Sequence, residues 1–333
     1  MLKAVYVNEN PLRFVRRGYA PACPDALRGQ VRLEDRVLSL QDVLQGAARD
    51  ADILLSTWGM PEITESEIAS CLPQAKLLLY GAGTVQAFAR PFLTRGVRVC
   101  SAWQANGIPV AEVTVSEIIL SQKGMLRAFR QMRSGDYAAV AAGSQPYRGS
   151  FGGRVGVIGA GVIGRRVLAM LQGYDLETWV CDPFLTEDDA RALGARKAEL
   201  PELFEACETV SNHLANNPAT RGLLDYSLFS RLSPTATFLN TGRGAQVVEA
   251  DLIRALQEQP GRTAVLDVAW PEPPEAGHPF YTMDNVFFSP HLAGSLGDET
   301  QRMGQFMLDE LRRYLAGQPL RYEVTLDMLS TMA

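Results

Sequence analysis

A chain of 333 residues with 47% hydrophobic side chains is long enough to bury more than one core, and two domains of roughly 150 residues are expected. Its 32 Lys and Arg stand against 37 Asp and Glu, a net charge of -5 with no dense basic run, which argues against nucleic acid as a partner. No apolar run approaches the roughly 20 residues that span a bilayer, so no membrane partner is expected either.

Along the chain, short β-rich runs alternate with helical periodicity. The amino terminus opens on the strand-like LKAVYV with no room for a leader, and DILLS, KLLLY and VRVC follow within the first hundred residues. KLLLY runs into the turn Gly81, Ala82, Gly83 ahead of a helical pattern starting near Thr84; amides at such a helix start would make a small anion site. Trp58, Tyr80 and Trp103 flank these loops. A long helical pattern from about Pro109 to Arg133 comes next, in which Arg127, Arg130 and Arg133 read as a solvated face. The small-residue stretch SGDYAAVAAGSQPYRGSFGG then reads as an extended connection. Six further strands are expected in VGVIG, ETWVC, TVSNH, ATFLN, AVLDV and NVFFS. A last amphipathic helix shows Met303, Phe306, Met307, Leu311 and Tyr314 on one face, stops at Gly317, and is placed to pack back on the first domain.

This is the rhythm of an α/β protein with two doubly wound parallel-sheet domains of the flavodoxin/Rossmann kind. Their expected extents are 1–105 plus 297–333, and 106–296, with a ligand cleft between them. Five cysteines, Cys23, Cys71, Cys100, Cys181 and Cys207, are widely spaced and odd in number, the pattern of reduced structural thiols in a cytoplasmic protein without a metal site.

The densest motif is VGVIGAGVIGRR. Gly159, Gly161 and Gly164 form G-x-G-x-x-G between an apolar strand and a helix that Val162 and Ile163 open. The first glycine permits the turn, the second lets a pyrophosphate approach the backbone, and the third lets helix and strand pack closely. Asp182 ends the next strand 18 residues after Gly164, where an acid accepts hydrogen bonds from an adenosine ribose and repels the extra phosphate of NADP; the expected cofactor is NAD. Strand after strand ends in a polar residue: Asp182, His213, Arg243, Asp267 and His291. His213 is open to a structural or a functional reading. His278, in PEAGHPF, reads as a surface residue.

The segments GVIGAGVIG, CDP, NTGRGAQVVE, LDVAWPEPP and SPHLAGS, in that order between about Leu54 and Gly317, resemble the D-isomer-specific 2-hydroxyacid dehydrogenase family. The resemblance implies that Arg243 binds the substrate carboxylate and carbonyl, that His291 is the general acid/base, and that Glu272 pairs with it. It implies cofactor contacts for Thr241, Gly242 and Asp267, the last to the nicotinamide carboxamide. The turn Gly81 to Gly83, with Trp58, would face the substrate from the other domain, and hinge closure would exclude water. A guanidinium clamps a carboxylate through two parallel hydrogen bonds, and an imidazole can give or take a proton near neutral pH. The implied activity is NAD-dependent interconversion of a 2-oxo acid and a D-2-hydroxy acid in a homodimer whose subunits embrace through about Asp136 to Gly153. Gly242 and Ala215 depart from residues common in the family, which bears on loop rigidity and substrate fit. Two other readings remain: a corepressor-like or sensing protein that binds NAD without turnover, and a formate- or phosphite-type dehydrogenase. Formate enzymes of that superfamily pair the histidine with glutamine, against which Glu272 stands.

Overall fold

The structure, a computed structural model, describes residues 1–10, 15–19 and 29–330. The chain forms two compact units, Met1–Gly107 with Ser295–Ala333, and Ile108–Gly294. The strands, in chain order, are β1 (Lys3–Val7), β2 (Arg32–Leu38), β3 (Ile53–Ser56), β4 (Leu77–Tyr80), β5 (Arg98–Ser101), β6 (Gly153–Ile158), β7 (Leu176–Cys181), β8 (Arg196–Lys197), β9 (Thr209–Asn212), β10 (Thr237–Asn240), β11 (Thr263–Leu266), β12 (Val286–Phe288) and β13 (Glu323–Val324).

In the first unit six strands run in the order β13-β5-β4-β3-β1-β2, parallel except for β13, which is antiparallel to β5. ILLS of β3 and LLLY of β4 are buried throughout, because helices cover both faces and alternate side chains enter different cores. Leu78 and Tyr80 join Val43, Ile68 and Phe92 on one face, while Leu77 and Leu79 meet Met303, Met307, Leu308 and Leu311 on the other. Those last four belong to the helix Glu299–Leu315, which packs in this unit and ends ahead of Gly317 at φ 65°. β2, with the sequence RLEDRVL, is absent from the expected strands. It is a largely solvent-facing edge held by pairing with β1 alone, so its charged residues hide the apolar signal.

The second unit holds seven parallel strands in the order β12-β11-β10-β9-β6-β7-β8. The order reverses between β6 and β9, and crevices for ligands open beyond the carboxyl ends of strands at such a reversal. Phe204, Phe229 and Phe238 form the aromatic centre of one face, with Phe229 and Phe238 ring centroids 5.1 Å apart. Val157, Leu168, Leu239 and Val265 fill the other.

The helix expected over 109–133 starts earlier, at Trp103, and ends at Gln122. Gly124 breaks it in the left-handed region at φ 62°, with the Tyr147 ring standing 2.4 Å from where a β-carbon would be, and a separate helix runs Met125–Gln131. The expected extended connection contains a helix, Tyr137–Gly143, capped by Asp136, whose carboxylate accepts from the Ala139 amide at 3.0 Å. Its alanines favour helix without leaving any periodicity to read. Cys71, Cys100, Cys181 and Cys207 are free thiols, and burial pushes Cys181 up to about 11 and Cys207 to about 12. Cys23 lies outside the described residues. No helix among the described residues is long and apolar enough to cross a membrane.

Candidate active site

Beyond β6 the three glycines differ as their neighbours require. Gly159 turns at φ 88°, and a β-carbon there would stand 2.7 Å from the His213 carbonyl oxygen. A β-carbon on Gly164 would collide with the Gly159 carbonyl oxygen at 1.9 Å. Gly161 faces open space, with nothing within 4 Å of its virtual β-carbon. It caps the helix Val162–Leu171, whose first-turn amides at Val162 and Ile163 have no acceptor within the helix. Asp182 Oδ2 accepts from the Ala160 amide at 2.7 Å and Oδ1 from Phe184 at 2.8 Å, so the acid at the end of β7 is built into the glycine turn. An open cradle of unspent amides flanked by a carboxylate suits the pyrophosphate and ribose of a dinucleotide.

At the next strand, burial holds the His213 imidazole neutral, down to about 4, and its Nε2 meets the Ser211 hydroxyl at 2.9 Å. Its Nδ1 is enclosed without a partner. The ring carries no charge at neutral pH, and it is the His213 backbone that lies against the glycine turn.

The Arg243 turn rests on a buried amide network that the sequence did not announce. Asn212 Nδ2 donates to Asn240 Oδ1 at 3.0 Å and to Gln246 Oε1 at 2.6 Å, while Gln246 Nε2 donates to the carbonyls of Leu214 and Ala215. Asn240 reaches forward, accepting from the Gly242 amide and donating to the Arg243 carbonyl. Thr241 is fixed by a 3.0 Å contact with Thr114 on the helix Trp103–Gln122. The half-buried guanidinium donates through Nη1 to the Gly242 carbonyl and forms no ion pair among the described residues. Burial lowers its pKa, and the Glu272 charge works the other way. Gly244 allows the turn to lie against the Ala269 peptide, since a β-carbon there would sit 2.0 Å from the Ala269 carbonyl carbon.

His291 is the one non-glycine residue with positive φ among the described residues, at 55°. Asp267 imposes this conformation. Its carbonyl accepts from the His291 amide at 2.9 Å, Oδ1 accepts from Ser289 Oγ at 2.6 Å and the Leu292 amide at 2.7 Å, and Oδ2 accepts from the Ala293 amide at 2.9 Å. The ring's Nδ1 meets Glu272 Oε1 at 2.7 Å. A carboxylate only accepts, so Nδ1 carries the proton and Nε2 is left to exchange one. Arg243, Asp267, Glu272 and His291 thus occupy one group of loops, tied together by these contacts. Glu117, on the helix Trp103–Gln122, is a further acid near Asp267 that the sequence reading missed. Burial, and then the Asp267 charge, push its carboxyl up to about 7, and Oε2 has no partner. His278 corrects the expectation of a surface residue: its side chain is 19% exposed and lies 3.3 Å from Glu249.

In the first unit Trp58 follows β3, half-buried, with its amide donating to Thr57 Oγ1 at 2.6 Å. The expected helix start near Thr84 is not there; the following helix is Ala89–Thr94. Gly81 spends its amide on the Ser56 carbonyl, so this residue offers no anion contact. The amides of Ala82 and Gly83 donate to nothing among the described residues, and the loop is held through its carbonyls by Ser101 Oγ and the Ala102 amide.

The family model described as D-isomer specific 2-hydroxyacid dehydrogenase, NAD binding domain, matches residues 115–293, more than half of the chain. A formate dehydrogenase of Chaetomium thermophilum is 29% identical over 81% of this chain and 75% of its own. A D-3-phosphoglycerate dehydrogenase of Methanocaldococcus jannaschii is 25% identical over 81% of this chain and 51% of its own, so the chain spans about half the length of that relative. Among solved structures, the D-mandelate dehydrogenase of Rhodotorula graminis shares the fold with a TM-score of 0.81 at 19% identity, covering 97% of this chain and 98% of that one.

Proposed function

The chain belongs to the D-isomer specific 2-hydroxyacid dehydrogenase family, and from that premise we propose that it interconverts a 2-oxo acid and a D-2-hydroxy acid with NAD. The observation that carries this reading is the pairing of Glu272 with His291 near a guanidinium that forms no ion pair among the described residues. NAD, held by the Gly161 turn, the first-turn amides of Val162 and Ile163, and Asp182, would supply or take up the hydride at the carbon that bears the substrate oxygen. Arg243 binds the substrate carboxylate with its planar fork. His291 Nε2 gives its proton to the substrate oxygen in reduction and removes it in oxidation, while Glu272 fixes the ring and balances the charge it gains. Asp267 sets the angle at which the ring is presented. Thr241 and Gly242 are assigned to the cofactor, and the Ala82 and Gly83 amides with Trp58 to the substrate. The unit Met1–Gly107 with Ser295–Ala333 is the substrate domain in this reading, and Ile108–Gly294 the NAD domain.

A second reading draws on the formate dehydrogenase likeness. Formate would fit an Arg243 clamp, but its oxidation to carbon dioxide moves a hydride and no oxygen-bound proton. A histidine locked to a carboxylate serves a reaction in which a proton moves, which favours the hydroxy acid. The test is Arg243→Lys, which keeps the charge and loses the fork: kcat/KM for the best 2-oxo acid should fall by at least about tenfold with NADH affinity unchanged. Full activity in that variant would place the carboxylate clamp elsewhere.

A further inference from the structure

The loop that carries Glu272 is tied at a second point, whose meaning rests on the reading above. In Trp270-Pro271-Glu272-Pro273-Pro274 the three prolines have no amide hydrogen, so Trp270 and Glu272 hold the only backbone donors of the stretch. The Trp270 amide donates to Glu249 Oε1 at 2.7 Å. The other oxygen, Oε2, lies 3.3 Å from His278 Nε2. His278 Nδ1 accepts from the Phe280 amide at 3.3 Å, so the ring proton sits on Nε2, the nitrogen nearer Glu249. One carboxylate therefore meets both ends of the loop 270–278, an oxygen to each, with Glu272 between them.

The anchor is firm. Glu249 opens the helix Glu249–Glu258, which is rooted in the core by Leu252, Ala255 and Leu256. The His278 ring packs edge-on against the buried Phe280, with centroids 4.5 Å apart. Burial raises the Glu249 carboxyl's pKa, and the Trp270 amide and His278 oppose that rise. Arg221 also approaches this end of the loop, its guanidinium over the Trp270 ring at 5.4 Å.

We propose that Glu249, braced by His278, is a positioning residue that sets Glu272 against His291 by holding both ends of its loop. It touches neither substrate nor cofactor and acts through Glu272 alone. The experiment compares Glu249→Ala in the wild-type and Glu272→Ala backgrounds, with Glu249→Gln as the conservative variant whose amide oxygen still accepts from Trp270. Amide exchange at Trp270 should rise at least about tenfold in Glu249→Ala and stay near wild type in Glu249→Gln. On the best of a panel of 2-oxo acids, kcat should fall about tenfold in Glu249→Ala with KM little changed, recover in Glu249→Gln, and lose less than about twofold more when Glu272 is already alanine. Unchanged exchange at Trp270 overturns the proposal whatever the activity. Faster exchange with the same loss of kcat in both backgrounds also overturns it, as a general structural effect, and leaves the proposed function standing. Wild-type turnover in Glu272→Ala alone would remove the role of Glu272 and this proposal with it.

Discussion

Arg243 and His291 differ in what surrounds them. The histidine is fixed by partners, Glu272 on its ring and Asp267 on its backbone, whereas the guanidinium is held by one carbonyl and has no further partner among the described residues. A residue poised for an anion should look like the second, and a proton carrier that must keep one tautomer should look like the first. Asp182 belongs to both kinds, because it braces the glycine turn through Ala160 while standing at the end of β7. Its charge predicts that NADH is preferred to NADPH. Asp182→Ser should weaken NADH binding, through the lost turn contact as well as the lost ribose acceptor, and erode the preference by relieving repulsion of the extra phosphate. The ratio of kcat/KM for the two cofactors measures this, and equal use of both by the wild-type chain would refute the assignment.

At the scale of elements, the helix Trp103–Gln122 applies polar residues to a face that otherwise packs on the sheet. Thr114 meets Thr241, and one turn later Glu117 lies in the field of Asp267. The folded Glu117 carboxyl keeps its proton to about pH 7, while an unfolded one releases it near 4.5. Between those values the unfolded state binds fewer protons, so this group makes stability fall as pH rises, by about 3 kcal/mol in all. His213 acts in the opposite sense between 6.5 and about 4, where its unfolded form is protonated and its folded form is not. Comparison with a variant isolates the carboxyl. Glu117→Gln should match the wild-type Tm near pH 4.5 and exceed it progressively up to pH 7; a constant difference across that range would show that Glu117 titrates normally. These contacts also mark what the sequence conceals. The glycine turn, Arg243 and His291 drew notice because each follows the end of an apolar strand, and Glu272 only through the family resemblance. Asn212, Asn240 and Gln246 did not, since this buried amide network is made by two strand ends and the turn after β10 meeting in space. β2 was hidden by its charged edge, His278 by a loop composition that suggests solvent, and Gly81 by an expected helix that begins eight residues later, at Ala89.

For the whole molecule, two doubly wound sheets in one chain account for the length and for the absence of any simple sequence repeat. The stretch from Asp136 to Gly153, which by the family resemblance is expected to embrace a second subunit, exposes Tyr137 and Phe151 at 75% and 83%. Cover from another copy would take these large apolar side chains out of water. The expected mass by light scattering at micromolar concentration is that of a dimer, and a monomer would contradict it. The proposed function is tested most directly by incubating the purified chain with NADH and, in turn, glyoxylate, hydroxypyruvate, pyruvate, phenylpyruvate and 2-oxoisocaproate, with formate and NAD as the opposing assay, and determining the configuration of any chiral product. NADH should be consumed with at least one 2-oxo acid, chiral products should be the D-2-hydroxy acid, and His291→Ala should remove most turnover while NADH still binds. No consumption with any 2-oxo acid, an L product, or turnover confined to formate would contradict it.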